Sequence, residues 1–561
     1  MNAERECCHA VAALLAAHGV KRVVVSPGSR NAPLIEALDS VGSMHLTVVI
    51  DERSAAFMAL GMASVTGECV ALVCTSGSAL LNYAPALAEA YYRQIPLVAI
   101  SADRAHEWIN RNDGQTILQP TAYGEFVKHR FNIDSRDSTV YRDIVVNDAV
   151  NLAGNYPCGP VHINIEIPDP SLPAIVPVNV SPGCKPRFIR RIGRGFDLDR
   201  DDISQLAERL GPDTRVMVVA GCYKPDQRLN KALGRLCSFG NFIVLADAIS
   251  NLHGLGIINT VDTVLSGISH DIAESLRPDI VISHGGAILS TRLKSYLRDR
   301  PVEHWHIGGE ETSQDTFGSM SLTIDTSPEC FYRQLVAAMR RTDARSDYSK
   351  QWIWHSGRAV AVAKEYIANA PWCDMTAVSR VLALIPEQFN VQLSNGMSVR
   401  YAQLLPYGHH RYDCNRGVSG IEGSTSTAIG ASICYNGGTI LITGDMSAAY
   451  DMHGLSLESI PARFKMVVVA NNGGGIFNYI KGTCGYEHVN RYLAAQRDFS
   501  IGDIASSLGF KVFEAGNFAE LDSAVKNMLS EEIHPALLVV KTSSVESAEI
   551  MKQFINRNNN I

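Results

Sequence analysis

Short runs in which nearly every position is apolar, many of them β-branched, recur along the chain with helical stretches between them. The first group covers residues 22–26, 47–50, 70–75, 96–101 and 161–165. The second covers 215–220, 242–246, 279–283 and 304–307, and the third 390–394, 439–443, 465–470 and 536–541. A strand with one wet face alternates apolar and polar residues, and these runs do not. Apolar on both faces and separated by helices, they predict buried parallel strands. Each group predicts one doubly wound α/β unit, so the expected fold is α/β with three parallel-sheet domains. Two segments without a clear period divide the groups: 168–194, rich in Pro, Val and Arg, and 340–351, charged and polar. They place the expected domains at 1–185, 186–345 and 346–561. The polar tail 556–560 is expected to fray.

Length supports this division, because 561 residues exceed one core and suit about three domains of roughly 100–200 residues. A net charge of −7 without a long basic run argues against a surface that tracks nucleic-acid phosphates. The 13 cysteines are odd in number, form no C-x-x-C pair and sit among apolar residues, as Cys74 and Cys434 do. They predict buried free thiols in a reducing compartment, not disulfides or zinc ligands. The start, Met-Asn-Ala-Glu-Arg-Glu, lacks the positive charge and long apolar stretch of a secretory signal. No apolar run approaches the roughly 18 residues that span a membrane. The expected location is therefore cytoplasmic.

In open parallel sheets, ligands bind beyond the carboxyl ends of the strands. The run 439–443 leads into Gly444-Asp445, and the run 465–470 leads into Asn471-Asn472-Gly473-Gly474. Asn471 stands 26 residues after Asp445, room for one helix and one strand. A carboxylate and an amide oxygen thus fall at adjacent strand ends. Such hard oxygen donors suit Mg²⁺, which shares its shell with phosphates, and Mn²⁺ accepts the same donors. Gly444 and Gly473 let the backbone approach a diphosphate closely.

This Gly-Asp and Asn-Asn pair resembles the signature of thiamine-diphosphate-dependent enzymes. The resemblance implies that Asp445, Asn471 and the Gly473 carbonyl hold the metal, with Gly444, Met446 and Ser447 beside the cofactor. It also implies a glutamate on a separate pyrimidine-binding domain, after the second strand of the first unit. Val48-Val49-Ile50-Asp51-Glu52 supplies Glu52. Its carboxyl must be protonated or share a proton with the aminopyrimidine ring, so burial is expected to favour the working state.

Four arginines follow strands or stand in glycine-rich loops: Arg30, Arg104, Arg400 and Arg416. Arginine binds carboxylates through two parallel hydrogen bonds, so the set predicts a polyanionic substrate. The strings Pro27-Gly28-Ser29-Arg30, Asp51-Glu52-Arg53, Thr75-Ser76-Gly77, Ala102-Asp103-Arg104, Asn415-Arg416-Gly417, Ser419-Gly420-Ile421, Gly444-Asp445-Met446-Ser447 and 471–477 narrow the resemblance. Over nearly the whole chain it is similar to the thiamine enzymes of menaquinone biosynthesis that join 2-oxoglutarate to isochorismate. That likeness implies loss of CO₂ from 2-oxoglutarate and conjugate addition to the isochorismate ring. It assigns Glu52 to cofactor activation and Ile421 to the apolar wedge that bends the cofactor. It makes Ser29, Thr75, Asn395 and Gly396 cofactor neighbours, Gln115 a polar substrate contact, and Ile476 and Phe477 an apolar wall. It further implies a homodimer or homotetramer, with each site shared between two chains.

Two positions depart from that pattern. Thr291 stands where a substrate-facing lysine is common, with Arg292 and Lys294 as substitutes for the charge, and Gly396 stands where a serine is common. They keep open a related thiamine carboligase or decarboxylase with another 2-oxo acid or acceptor. A simple 2-oxo acid such as pyruvate offers one carboxylate, too few for the arginine set. Intact Glu52, Asp445 and Asn471 argue against a catalytically silent binding protein. No G-x-G-x-x-G follows a strand, against a nicotinamide dehydrogenase, and no G-x-S-x-G does, against a hydrolase.

Overall fold

Strands form where apolar side chains can be buried on both faces. Seven of them, Val70–Cys74, Leu97–Asp103, Val161–Glu166, Val216–Ala220, Phe242–Ala246, Ile280–His284 and Asn390–Leu393, are buried at every position. The structure is a computed structural model that describes residues 3–171, 186–191, 197–309, 313–339, 346–457, 459–497 and 499–556. Among these residues lie three six-stranded sheets, parallel throughout and flanked by helices. The fold is α/β and doubly wound in all three, as the sequence predicts.

The first sheet comprises β1 (Arg22–Val25), β2 (His45–Val48), β3 (Val70–Cys74), β4 (Leu97–Asp103), β5 (Arg130–Asp134) and β6 (Val161–Glu166), in the order β2-β1-β3-β4-β6-β5. The second comprises β7 (Val216–Ala220), β8 (Phe242–Ala246), β9 (Ile257–Ile258), β10 (Ile280–His284), β11 (Glu303–Ile307) and β12 (Met320–Ile324), in the order β12-β11-β10-β7-β8-β9. The third comprises β13 (Asn390–Leu393), β14 (Arg411–Cys414), β15 (Thr439–Gly444), β16 (Phe464–Ala470), β17 (Lys511–Ala515) and β18 (Ala536–Lys541), in the order β14-β13-β15-β16-β18-β17. The first and third share one topology. The second has the order typical of dinucleotide-binding folds.

The chain divides into two compact units. One holds residues 1–193, 417–436 and 451–461, and the other 194–416, 437–450 and 462–561. In the first unit the helix Glu52–Thr66 crosses the helix Ser424–Cys434 at glycines. A Cβ on Gly61 would stand 2.0 Å from the Thr427 carbonyl oxygen, and one on Gly430 would stand 2.0 Å from that of Met58. In the second unit the helix Tyr348–Asn369 begins inside the expected 340–351 separator. Its Tyr348, Trp352 and Ala359 join a core with Met217, Val219 and Val281 of the second sheet, and Ala363 joins the third-sheet core. Residues 172–185, 192–196, 340–345 and 557–560 of the separators and the tail lie outside the described residues. No disulfide joins the cysteines among the described residues. No helix among the described residues is long and apolar enough to cross a membrane.

Candidate functional site

Parallel pairing of β15 with β16 aligns Gly444 with Val469, so Asp445 and Asn471 emerge at neighbouring strand ends. Asp445 begins the helix Asp445–Tyr450 and is buried. Its Oδ1 accepts the Met446 N–H at 2.7 Å and its Oδ2 the Gly473 N–H at 3.1 Å. Burial raises its pKa to about 6, against the pull of these backbone donors. Asn471 is also buried; its Nδ2 donates to Asp374 Oδ2 at 2.7 Å, while its Oδ1 has no hydrogen-bond partner. Gly473 adopts φ +144°, and a Cβ there would meet the Ala494 carbonyl oxygen at 2.5 Å. Around the Cβ position of Gly444, by contrast, nothing lies within 4 Å. A buried carboxylate, an unbonded buried amide oxygen and an open glycine edge fit a hard divalent cation carrying a diphosphate. Met446 is half-buried and Ser447 buried beside them.

In the same compact unit several cations gather around the end of β13. Gly396 has φ +99°, so a serine there would be strained, and its carbonyl accepts Arg400 Nη1. Asn395 Oδ1 accepts Arg416 Nη1 at 3.0 Å, and its Nδ2 donates to the Asn415 carbonyl at 2.6 Å. Burial lowers the pKa of Arg400, and the positive field of Arg416 adds to this. Burial likewise lowers that of Lys294, with Arg416, Arg298 and Arg400 acting the same way and Asp247 opposing. Thr291 is exposed at the start of the helix Thr291–Asp299, and Lys294 lies one turn on. Asp247 Oδ2 accepts the Leu289 N–H at 2.5 Å, and Asp262 Oδ1 accepts Ser290 Oγ at 2.5 Å, which fixes the start of that helix. Burial raises Asp247 to about 7. Arg400, Arg416 and Lys294 thus converge with no carboxylate in an ion pair to them among the described residues. Such a cluster has the charge to suit an anion.

The first unit carries the other predicted residues. Glu52 opens the helix Glu52–Thr66, whose N-cap Asp51 accepts the Arg53 and Ser54 N–H groups. Its carboxyl is half-buried and accepts Asn82 Nδ2 at 3.1 Å. Thr75 is buried with an unbonded Oγ1. Arg30 and Arg104 line one cavity of about 330 Å³ with Ala105, Glu107, Trp108, Asp113 and Pro168. Arg30 Nη1 donates to the Ile167 and Pro168 carbonyls at 2.8 and 2.7 Å, and Arg104 pairs with Asp113 at 3.0 Å. Burial, with the field of Arg104, lowers the pKa of Arg30. Ser29 and Gln115 are exposed, Gln115 at φ +56°. Ile421 is 39% exposed just before the helix Ser424–Cys434, so it is an apolar side chain left uncovered in this chain. Ile476 and Phe477, in the other unit, are half-buried in the turn Gly475–Asn478.

Behind the arginine cavity runs a buried polar network. Ser101 Oγ bonds His162 Nε2 at 2.7 Å and Asn164 Oδ1 at 2.8 Å. Asn164 Nδ2 donates to Asp103 Oδ2 at 2.9 Å, and Gln119 Nε2 donates to Asn164 Oδ1 at 2.9 Å. Gln119 Oε1 accepts the Gly77 N–H at 2.8 Å, tying the 75–77 loop to the end of β4. Burial raises Asp103 to about 6 and lowers His162 to about 3. Nearby, ligand-type atoms of His106, Asp134 and Glu166 lie within 4.8 Å of one another, although Arg136 holds Asp134 at 2.6 Å.

Sequence reasoning missed Asp374, Asn82 and the Asp247–Asp262 pair. Asp374 lies 97 residues from Asn471, and an acidic residue opening a helix reads as ordinary N-terminal charge.

Comparison with known proteins follows the same lines. Residues 5–122 match the family described as thiamine pyrophosphate enzyme, N-terminal TPP binding domain. A Porphyromonas gingivalis protein named 2-succinyl-5-enolpyruvyl-6-hydroxy-3-cyclohexene-1-carboxylate synthase is 36% identical over 549 residues, covering 96% of this chain and 94% of its own length. Proteins of the same name from Cytophaga hutchinsonii and Christiangramia forsetii are each 34% identical, covering 96% and 97% of this chain and 97% of their own lengths.

Proposed function

The chain belongs to the 2-succinyl-5-enolpyruvyl-6-hydroxy-3-cyclohexene-1-carboxylate synthase family, and from that premise we propose that it decarboxylates 2-oxoglutarate and transfers the succinyl unit to isochorismate in menaquinone biosynthesis. It is an enzyme of the thiamine-diphosphate type; its class as a transferase, its use of Mg²⁺ or Mn²⁺ and its cytoplasmic location are parts of the proposal. The observation that carries the reading is Asn471 Oδ1, buried and unbonded at the strand end next to Asp445.

Asp445, Asn471 and the Gly473 carbonyl would hold the metal, and Gly444, Met446 and Ser447 would lie along the diphosphate. When bound, thiamine diphosphate supplies the electron sink that lets a 2-oxo acid lose CO₂ and its former carbonyl carbon act as a nucleophile. Glu52, its carboxyl held by Asn82, would exchange a proton with the aminopyrimidine of the bound cofactor. Ser29, Thr75, Asn395, Gly396 and Ile421 form the remaining cofactor contacts. Arg30, Arg104, Arg400 and Arg416 hold substrate carboxylates, with Gln115 as a further polar contact. Lys294 supplies the positive charge that Thr291 lacks. The domains 1–185, 186–345 and 346–561, and assembly as a homodimer or homotetramer with shared sites, complete the proposal.

The test is CO₂ release from 2-oxoglutarate by the purified chain with thiamine diphosphate and Mg²⁺, with and without isochorismate. Release that rises with isochorismate, together with loss of isochorismate absorbance, is the expected result. Release indifferent to isochorismate would move the assignment to another acceptor, and no release would overturn it. Mixing Glu52→Gln chains with Asp445→Ala chains should restore part of the activity if the sites are shared.

A further inference from the structure

The two ends of an asparagine amide differ only in hydrogen bonding: the NH₂ donates and the oxygen accepts. A metal can use only the oxygen. Something must therefore hold the other end, and in this chain it is a carboxylate from a different element. Asp374 is 2% exposed at the first position of the helix Asp374–Leu384, where the helix N-terminus favours negative charge. Its Oδ2 accepts Asn471 Nδ2 at 2.7 Å and its Oδ1 accepts Thr542 Oγ1 at 2.5 Å. Its own N–H donates to Ser547 Oγ at 2.9 Å. Thr542 is fixed in turn, its N–H donating to the Ala470 carbonyl at 3.1 Å, one residue before Asn471. A carboxylate offers acceptors alone, so it takes the NH₂ end and excludes the flipped amide. What remains is Asn471 Oδ1, buried and without a partner. Leaving a buried carbonyl oxygen unbonded is unfavourable unless a positive group meets it.

We propose that Asp374 is a positioning residue for the metal centre: it fixes the Asn471 amide so that the oxygen faces the cation. This rests on the metal reading given above. It predicts that the amide and the carboxylate act as a pair, in which the two side chains can be exchanged but not altered singly.

The experiment uses the full chain with saturating thiamine diphosphate and titrates Mn²⁺, following free Mn²⁺ by electron paramagnetic resonance. Melting of the metal-free protein is recorded in parallel. In Asp374→Asn the new side chain can either accept from the Asn471 NH₂ or donate to the Asn471 oxygen, so both amide orientations are open and Mn²⁺ affinity should fall about 10- to 100-fold, as for other outer-sphere partners. In the exchanged variant, Asp374→Asn with Asn471→Asp, the new amide donates to the new carboxylate, whose second oxygen faces the metal. That variant should regain most of the affinity. Wild-type affinity in Asp374→Asn would overturn the proposal. So would loss in both variants with an equal drop in metal-free melting, because that pattern belongs to a purely structural contact. If the wild type itself shows no Mn²⁺ binding that depends on thiamine diphosphate, the functional reading fails first, and this inference with it.

Discussion

The first and third sheets have the same strand order and carry different chemistry at equivalent strand ends. After the first strand of each comes an arginine, Arg30 after β1 and Arg400 after β13. After the second comes Glu52 in one and Arg416 in the other. The third strand leads to Thr75 or to Asp445, and the fourth to Asp103-Arg104 or to Asn471. The shared topology supplies the same four platforms, and in the proposed function the residue at each decides whether it would meet a metal, a ring or a carboxylate. Their interiors differ as well. The last strand of the first sheet, β6, sets His162, Asn164 and Glu166 into a polar network, while its counterpart β18 reads Ala-Leu-Leu-Val-Val-Lys. The first sheet therefore orders its loops by hydrogen bonds through the core, and the third holds Asn471 from the helix Asp374–Leu384.

The sharpest way to break this comparison is at the second strand end. Glu52→Gln should lower kcat by about 10²- to 10⁴-fold, the usual share of a proton-transfer group, with cofactor affinity unchanged. A loss of cofactor binding instead would give Glu52 the role assigned to the third sheet. At the metal end, Asp445→Ala should weaken metal-dependent cofactor binding by more than the roughly 10- to 100-fold of an outer-sphere partner. Equal affinity in a titration would remove Asp445 from the metal. Arg30→Lys and Arg400→Lys test whether the first platforms are equivalent. Each should raise KM about 10-fold, because a lysine keeps the charge and loses the planar fork. If only one does, the equivalence is topological alone. The smallest effect concerns stability. Burial holds His162 near 3, below its unfolded value, so its contribution is present above about pH 6.5 and is lost as pH falls from there toward 3. In that window the slope is at most on the order of 1 kcal/mol per pH unit. His162→Gln should flatten the acid limb of the melting curve, and an unchanged slope would mean that the ring charges freely in the folded state.

Strands were legible in the sequence where burial is two-sided. Each of the apolar runs coincides with or overlaps a strand. The unforeseen strands, β5, β9, β12, β14 and β17, all lie at sheet edges. Edge strands are partly wet: β12 (Met-Ser-Leu-Thr-Ile) alternates exposure and β17 (Lys-Val-Phe-Glu-Ala) is exposed at Lys511 and Glu514, so neither forms an apolar run. β9 has only two residues. The same logic governs the site. Asp445 and Asn471 stood out because each directly follows a buried strand. Asp374 and Asn82 did not, because their partners are distant in sequence and their residue types are common on helices. Burial of Glu52 was expected to be fuller than the half-buried position it takes in this chain.

The glycine crossing of the helices Glu52–Thr66 and Ser424–Cys434 sets a limit on how this lineage can change. With hydrogens alone fitting at Gly61 and Gly430, no single nucleotide change that adds a side chain there leaves the two backbones in place. Replacing both at once does not help, since each clash is with main chain rather than with the other glycine. Substrate preference can drift through the loops at the strand ends, one substitution at a time. The crossing beneath Glu52 and Ile421 cannot drift, and descendants of this protein that take new substrates should keep it unaltered while the loops diverge.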